Sequence, residues 1–255
     1  MVTVLIIVVA WALLYFWQRW IRGVLAAQLA AYRSGDYEAQ MRAAAPLRVL
    51  KPRAYLFFRG SALLNLGRSQ EAEACLRRSL LMEKKRRLKA LCESQLGHVL
   101  LAQQRYADAI AWFGSSIADR PQRGGGYRGI AETLLRQGVQ PAEALRQARQ
   151  AAVLDEVNTA PGAESRDINF SESLATLAWA EAVNSGAAAE VERLLSKAFT
   201  LCPETTVPVR AELHYLAGRA YAAQGKTDES AREFERAAKL DPHGNYGRSA
   251  KAAMP

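Results

Sequence analysis

Two glycine-bearing stretches have spacings that could hold phosphate. Gly225-Lys226-Thr227 carries the tail of Gly-x-x-x-x-Gly-Lys-[Ser/Thr], and Gly124 to Gly129 (GGGYRG) matches Gly-x-Gly-x-x-Gly. Such loops cradle phosphate with backbone N–H groups at a strand-to-helix turn. Ala220 stands where the first of those patterns needs its leading glycine, and no strand-like segment feeds either stretch. Gly225 therefore reads as a turn residue, since positive φ costs glycine little. Thr227 would cap the next helix, with Asp228 and Glu229 at its positive end. Gly124–Gly129 reads as a flexible joint between helices.

The remaining chemistry-bearing residues are scattered. Cys75, Cys92 and Cys202 form no Cys-x-x-Cys, which argues against a structural zinc and a disulfide framework. His98, His214 and His243 show no ligand spacing and read as surface or groove-lining residues. No nucleophile elbow is present, and no carboxylate pair stands out from the many glutamates. These observations point to a non-enzymatic protein with no cofactor and no metal.

The elements that must position any site are helices. Ala, Leu, Arg and Glu dominate from about residue 24 onward, a helix-forming mixture, and Val and Ile cluster only at the start. The formal charge is +9, which favours anionic surfaces or serves as solubilising charge. The densest basic run is Arg77 to Lys89, with Arg77, Arg78, Lys84, Lys85, Arg86, Arg87 and Lys89 as candidate contacts to anionic lipid. It lacks interleaved aromatics, so a nucleic-acid partner is not expected.

Residues 1–22 read as a transmembrane anchor. The run from Val2 to Trp17 is uncharged and apolar, and Tyr15, Trp17 and Trp20 crowd its far end as an aromatic belt would. Arg19 can snorkel, which extends the span to about Ile21. The competing reading is a cleaved signal peptide, which would begin with a basic region. Arg19, Arg22 and Arg33 follow the run and no Lys or Arg precedes it. The positive-inside rule then puts the rest on the cytoplasmic side of a membrane, with a periplasmic domain as the alternative. Only Gly23 interrupts the passage onward, so one long helix could lead into the folded region.

Residues 23–242 repeat. Ala211–Pro242 and Ala90–Pro121 align, with Gly218 on Gly97, Phe234 on Phe113 and Pro242 on Pro121. The last copy adds Tyr221, Gly225 and Ala237. The earlier one adds Leu96, Tyr106 and Ala109, with Gln104 in place of the turn glycine. This pattern resembles the tetratricopeptide repeat (TPR), a helix-turn-helix of about 34 residues. Fainter copies carry Gly60, Gly67, Ala72 and Leu76, then Tyr127, Ala131 and Gly138, then Gly186, Leu195, Ala198 and Pro203. A first copy has Gly35, Tyr37 and Pro52, with Pro46 expected to kink its second helix. Longer connectors are expected at EKKRRLK and at EVNTAPGAESRDIN. The expected architecture is an all-α solenoid of five to six hairpins after one transmembrane helix, then a C-terminal tail at 243–255.

The resemblance implies a scaffold that binds a protein or peptide in a groove lined by the first helix of each repeat. Carried onto this chain, the groove positions are Phe57, Ser61, Asn65, Ser94, His98, Leu101, Arg128, Leu135, Tyr215 and Arg219. The basic pair with which one TPR subgroup clamps a C-terminal carboxylate is missing, so an amphipathic helix or extended peptide suits the lining better. The layout is similar to that of bacterial inner-membrane TPR proteins with an N-terminal anchor. The alternatives are an envelope-exported TPR protein, or a regulatory accessory subunit whose chemistry lies around Glu156 to Ser171.

Overall fold

The computed structural model describes residues 2–157 and 164–254, without the side chains of residues 2–10, 12, 13 and 164–166. The described residues form fourteen helices and no strand. They are α1 (Val2–Arg33), α2 (Tyr37–Ala44), α3 (Leu47–Leu50), α4 (Pro52–Asn65), α5 (Ser69–Leu81), α6 (Arg86–Ala102) and α7 (Tyr106–Asp119). The others are α8 (Gly124–Gln137), α9 (Pro141–Val157), α10 (Glu164–Val183), α11 (Ala188–Leu201), α12 (Val207–Ala223), α13 (Thr227–Leu240) and α14 (Asn245–Ala253). Six antiparallel hairpins result, from α1–α2 to α12–α13, with α14 stacked on the last.

Each hairpin turns through a residue with left-handed backbone. Gly35, Gly67, Gly138 and Gly225 have φ between 72° and 76°, and Gln104 takes the same conformation at φ 59°. In the fifth hairpin Ser185, at φ 60°, makes the turn rather than the adjacent Gly186. Pro46 breaks the second helix of the first hairpin, leaving α2 and the one-turn α3. The connector expected at EKKRRLK shrinks to residues 83–85, because Arg86 already begins α6. The ends of the later one join α9 and α10, and its residues 158–163 lie outside the described residues.

Close packing explains the repeat pattern. A Cβ on Gly97 would come 2.5 Å from the Phe113 ring, and one on Gly218 would come 2.6 Å from Phe234. The same Phe113 ring fills the space over Gly129 of the next hairpin, and its side chain is fully buried. One aromatic ring thus joins two repeats, as a solenoid requires when no single hairpin can bury its own apolar face. Gly124–Gly129 is therefore not a joint. It forms the first turns of α8, and Gly126 lets Ile117 approach to where a Cβ would lie 2.6 Å away. Thr227 is the first residue of α13 rather than its cap; Lys226 occupies that place with no side-chain bond, while Asp228 and Glu229 do sit in the first turn.

Consecutive first helices α6, α8, α10 and α12 pack along one another, so they line the inside of the superhelix. The curvature brings its ends together. Tyr37 at the start of α2 donates its hydroxyl hydrogen to Asp241 after α13, and Arg248 of α14 bonds the carbonyl oxygens of Leu64 and Asn65. The segment beyond residue 242, expected as a tail, is thus largely helix packed into the fold.

Helix α1 is continuous for 32 residues, about 48 Å at 1.5 Å per residue. Its partner α2 has only 8 residues, so the leading part of α1 runs on beyond the hairpin. Among the described residues no helix is long and apolar enough to cross a membrane. Most side chains of the expected anchor, at 2–10, 12 and 13, lie outside the described residues; Trp11, Phe16 and Trp17 are exposed.

Candidate partner-binding groove

The residues that the repeat pattern assigns to the groove do fall on the first helices, but they divide into two sets. Leu101, Leu135 and Tyr215 are buried in the hydrophobic core, and Arg219 lies 4.8 Å from the Trp179 ring. His98 stands edge-on to Phe113 at 5.0 Å, and burial pulls its pKa down to about 4, so it is neutral near pH 7. Phe57, Ser61, Asn65 and Ser94 are only half-buried.

Arg128 is the centre of the closed part. One guanidinium nitrogen lies 2.7 Å from Glu172 of α10 and another 2.6 Å from Glu212 of α12. One turn on, Glu132 accepts from Arg136 at 2.8 Å and from the Tyr246 hydroxyl of α14 at 3.1 Å. The Arg136 guanidinium lies over the rings of Tyr215 and Tyr246, at 5.0 and 5.7 Å. Three carboxylates thus face two guanidiniums inside the superhelix. Burial, then the neighbouring Glu172, pushes the Glu212 carboxyl well above its usual range. Burial also acts on Glu132, but Arg136, His98 and Arg128 together hold it below the usual range. For Arg128, burial opposes the charge, and Glu172 and Glu212 more than offset it. Tyr32, near the end of α1, is half-buried beside the same charges; desolvation first, then Glu172 and Glu212, raises its pKa. The middle of the groove is therefore occupied by the chain's own α14 and by the end of α1.

Over α4 and α6 the situation differs. Phe57 lines a cavity of about 440 Å³, together with Ile21 and Leu25 of α1, Leu47, and Leu88 and Leu91 of α6. Ser61 and Ser94, on the same two helices, are half-buried rather than sealed. Sequence reasoning missed the buried charge cluster because Glu132, Glu172 and Glu212 resemble ordinary surface glutamates on helices; their only signal is spacing within three successive first helices.

No metal-binding group of three or more His, Cys, Asp or Glu occurs among the described residues. His214 is buried, not on the surface, with Nδ1 at 2.6 Å from Glu233. Cys75 is half-buried, and Cys92 and Cys202 are buried as free thiols. The basic run is split by its surroundings. Arg77 pairs with Glu73 at 2.8 Å and lies over Trp112, and Arg86 and Lys89 reach Asp119.

Comparison with known proteins agrees with this architecture. Family models described as tetratricopeptide repeat match residues 54–86 and 211–243, the second and sixth hairpins. No curated protein matches the chain. Among solved structures, a thermophilic TPR protein from Thermus thermophilus is similar at 20% identity and a TM-score of 0.52, over 79% of this chain and 97% of that one. BtubC from P. vanneervenii is 12% identical with a TM-score of 0.50, over 91% and 93% of the two chains. These likenesses are likenesses of fold.

Proposed function

We propose that this solenoid of tetratricopeptide repeats is a non-enzymatic scaffold, tethered to a bilayer by α1, that binds a partner protein over α4 and α6. TPR proteins in general serve as protein-interaction scaffolds. The observation that carries the reading is the contrast within the inner face. Its middle is filled by Tyr246 and the ion cluster, whereas Phe57, Ser61 and Ser94 line a part left half-open. The mixed apolar and hydroxyl lining suits an amphipathic helix or an extended peptide.

The tether rests on the apolar run Val2–Trp17 in a helix that leads into the solenoid without a break. Arg19, Arg22 and Arg33 favour the cytoplasmic face of a bacterial inner membrane for the repeats. A topology reporter joined after residue 255 should be active in the cytoplasm; activity only in the periplasm means an exported scaffold.

The groove is tested by co-purifying the full chain from membranes in mild detergent. Ser61→Arg with Ser94→Arg should remove a protein partner held by the wild type, while far-UV circular dichroism stays unchanged. Retention of the same partners by that folded variant refutes the groove. Arg128 is unsuitable for this purpose, since its charge is engaged by two buried carboxylates.

A further inference from the structure

Among the described residues the links between hairpins, unlike the turns within them, lie on the edge of the solenoid past which α1 extends. This follows from topology: α4 starts and α5 ends there, as do the corresponding helices of each later hairpin. Ile21 and Leu25 of α1 line one cavity with Lys51, Glu83 and Leu88, which fixes α1 against this edge.

Three successive links make that edge basic. The first supplies Arg48 and Lys51, the second Lys84, Lys85 and Arg87, the third Arg120 and Arg123. Glu83 holds the second link rigid: its carboxylate accepts from the backbone N–H groups of Lys84 and Lys85 at 3.0 and 2.9 Å, and pairs with Arg53 at 3.0 Å. That carboxylate is thereby spent inward, and Lys84, Lys85 and Arg87 project without an ion-pair partner among the described residues. Burial first, and then the like charges of Arg123 and Arg87, lowers the pKa of Arg120.

Apolar side chains stand among the cations. Val49 and Leu81 are 84% and 87% exposed, and Leu50 and Met82 are 52% and 45% exposed. Nucleic acid would pair with the charges but has no use for four exposed aliphatic side chains. A bilayer uses both, cations at the headgroups and aliphatic groups at the acyl boundary.

We propose that this edge is a docking surface for an anionic lipid bilayer. Lys51, Lys84, Lys85 and Arg87 meet the headgroups, and Leu81, Met82, Val49 and Leu50 enter the acyl boundary. The solenoid then rests on the membrane rather than hanging from α1 by a free stalk. The inference rests on the tethered reading of α1, and the experiment separates the two.

The full chain is reconstituted into phosphatidylglycerol vesicles and into phosphatidylcholine vesicles. With Cys75→Ser in place, the remaining thiols are buried, so a fluorophore can be put on Leu81→Cys or, as the reference on the opposite edge, on Lys226→Cys. Lipids brominated on the acyl chain should quench the label at position 81 and not at 226, in the anionic vesicles only. Replacing Lys51, Lys84, Lys85 and Arg87 together by Gln should reduce that quenching about tenfold or more, given the attraction each cation feels near such a surface. Protein that stays in the vesicles with equal, weak quenching at both positions overturns the docking surface and leaves the tether standing. Equal quenching at position 81 in both lipids overturns the electrostatic part. Failure to associate with any vesicle overturns the tether and the docking together. Loss of the quenching at position 81 on adding duplex DNA, with the protein still in the anionic vesicles, would assign the edge to nucleic acid instead.

Discussion

The region from α1 to the start of α6 and the region from α8 to α14 are built from the same hairpin, yet they handle charge in opposite ways. Residues 1–90 hold sixteen Lys and Arg against five Asp and Glu, while the remaining residues hold eighteen against twenty. The whole positive surplus thus lies at the α1 end, and much of it points outward. In the later region one group of charges is turned inward and matched, with Arg128 between Glu172 and Glu212. Apolar groups do not divide in the same way: Val49, Leu50, Leu81 and Met82 are exposed and Leu63 and Leu76 sealed in the first region, and Val153 and Val157 are exposed and Trp179, Leu213 and Leu216 sealed in the second. One repeat pattern therefore yields a half with a buried ion cluster and a half with a surplus of exposed cations, depending on which side chains occupy its free positions.

The sharpest way to break this comparison is to unbalance the closed half. Arg128→Ala should leave Glu172 and Glu212 buried without their cation, a loss of about 3–5 kcal/mol. Thermal unfolding would report it. The matched change in the half with exposed cations, Arg87→Ala, should fall within about 0.5 kcal/mol. Equal effects at the two sites would show that the closed half is not held by its ion cluster.

A middling effect is expected from pH. His98 has its pKa depressed from 6.5 to about 4 in the folded chain. The native state then binds fewer protons than the unfolded one between those values. Its contribution to stability is complete above about pH 6.5 and is lost as the pH falls toward 4. Glu212 is shifted the other way: with its folded pKa raised, it favours the native state below the ordinary carboxyl range and loses that advantage as the pH rises through the raised value. His98→Gln should therefore flatten the acid limb of a stability profile by on the order of 1–2 kcal/mol. An unchanged slope between pH 6.5 and 4 would mean that His98 titrates freely.

The hairpins were legible in the residues because their determinants are local. Gly97 with Phe113, and Gly218 with Phe234, declare the close approach of two helices that are neighbours in sequence. Closure of the superhelix was not, since Tyr37 and Asp241 are 204 residues apart and neither carries a local signal. For the same reason the groove positions could be assigned from the repeat, but not whether another part of the chain covers them. The fifth hairpin shows a subtler limit. Gly186 looks like the turn residue, yet Ser185 takes the left-handed conformation, and nothing in the residue types alone decides between neighbours.

The smallest expected effect tests whether the turns are interchangeable across the two halves. Gln104 and Gly225 occupy the same backbone region, at φ 59° and 74°. A Cβ at Gly225 would meet nothing within 4 Å, so Gly225→Ala sets the backbone cost of a side chain there, about 1–2 kcal/mol, against the unfolded-chain freedom it removes, about 0.4–1 kcal/mol, for a net loss of about 0.5 kcal/mol. Gln104 already bears that strain. Replacing it by glycine relieves the strain but gives the unfolded chain more freedom, worth about 0.4–1 kcal/mol. The net outcome should be a gain of about 0.5 kcal/mol, the remainder of these two opposing terms. Urea unfolding of both variants would read the pair. Opposite signs follow if the turn is set by φ alone. A loss at Gln104→Gly would show that this turn depends on a defined backbone in a way the glycine turns do not, because the adjacent Gln103 is tied to Glu73 of the preceding hairpin by a 3.1 Å bond that a looser turn would weaken.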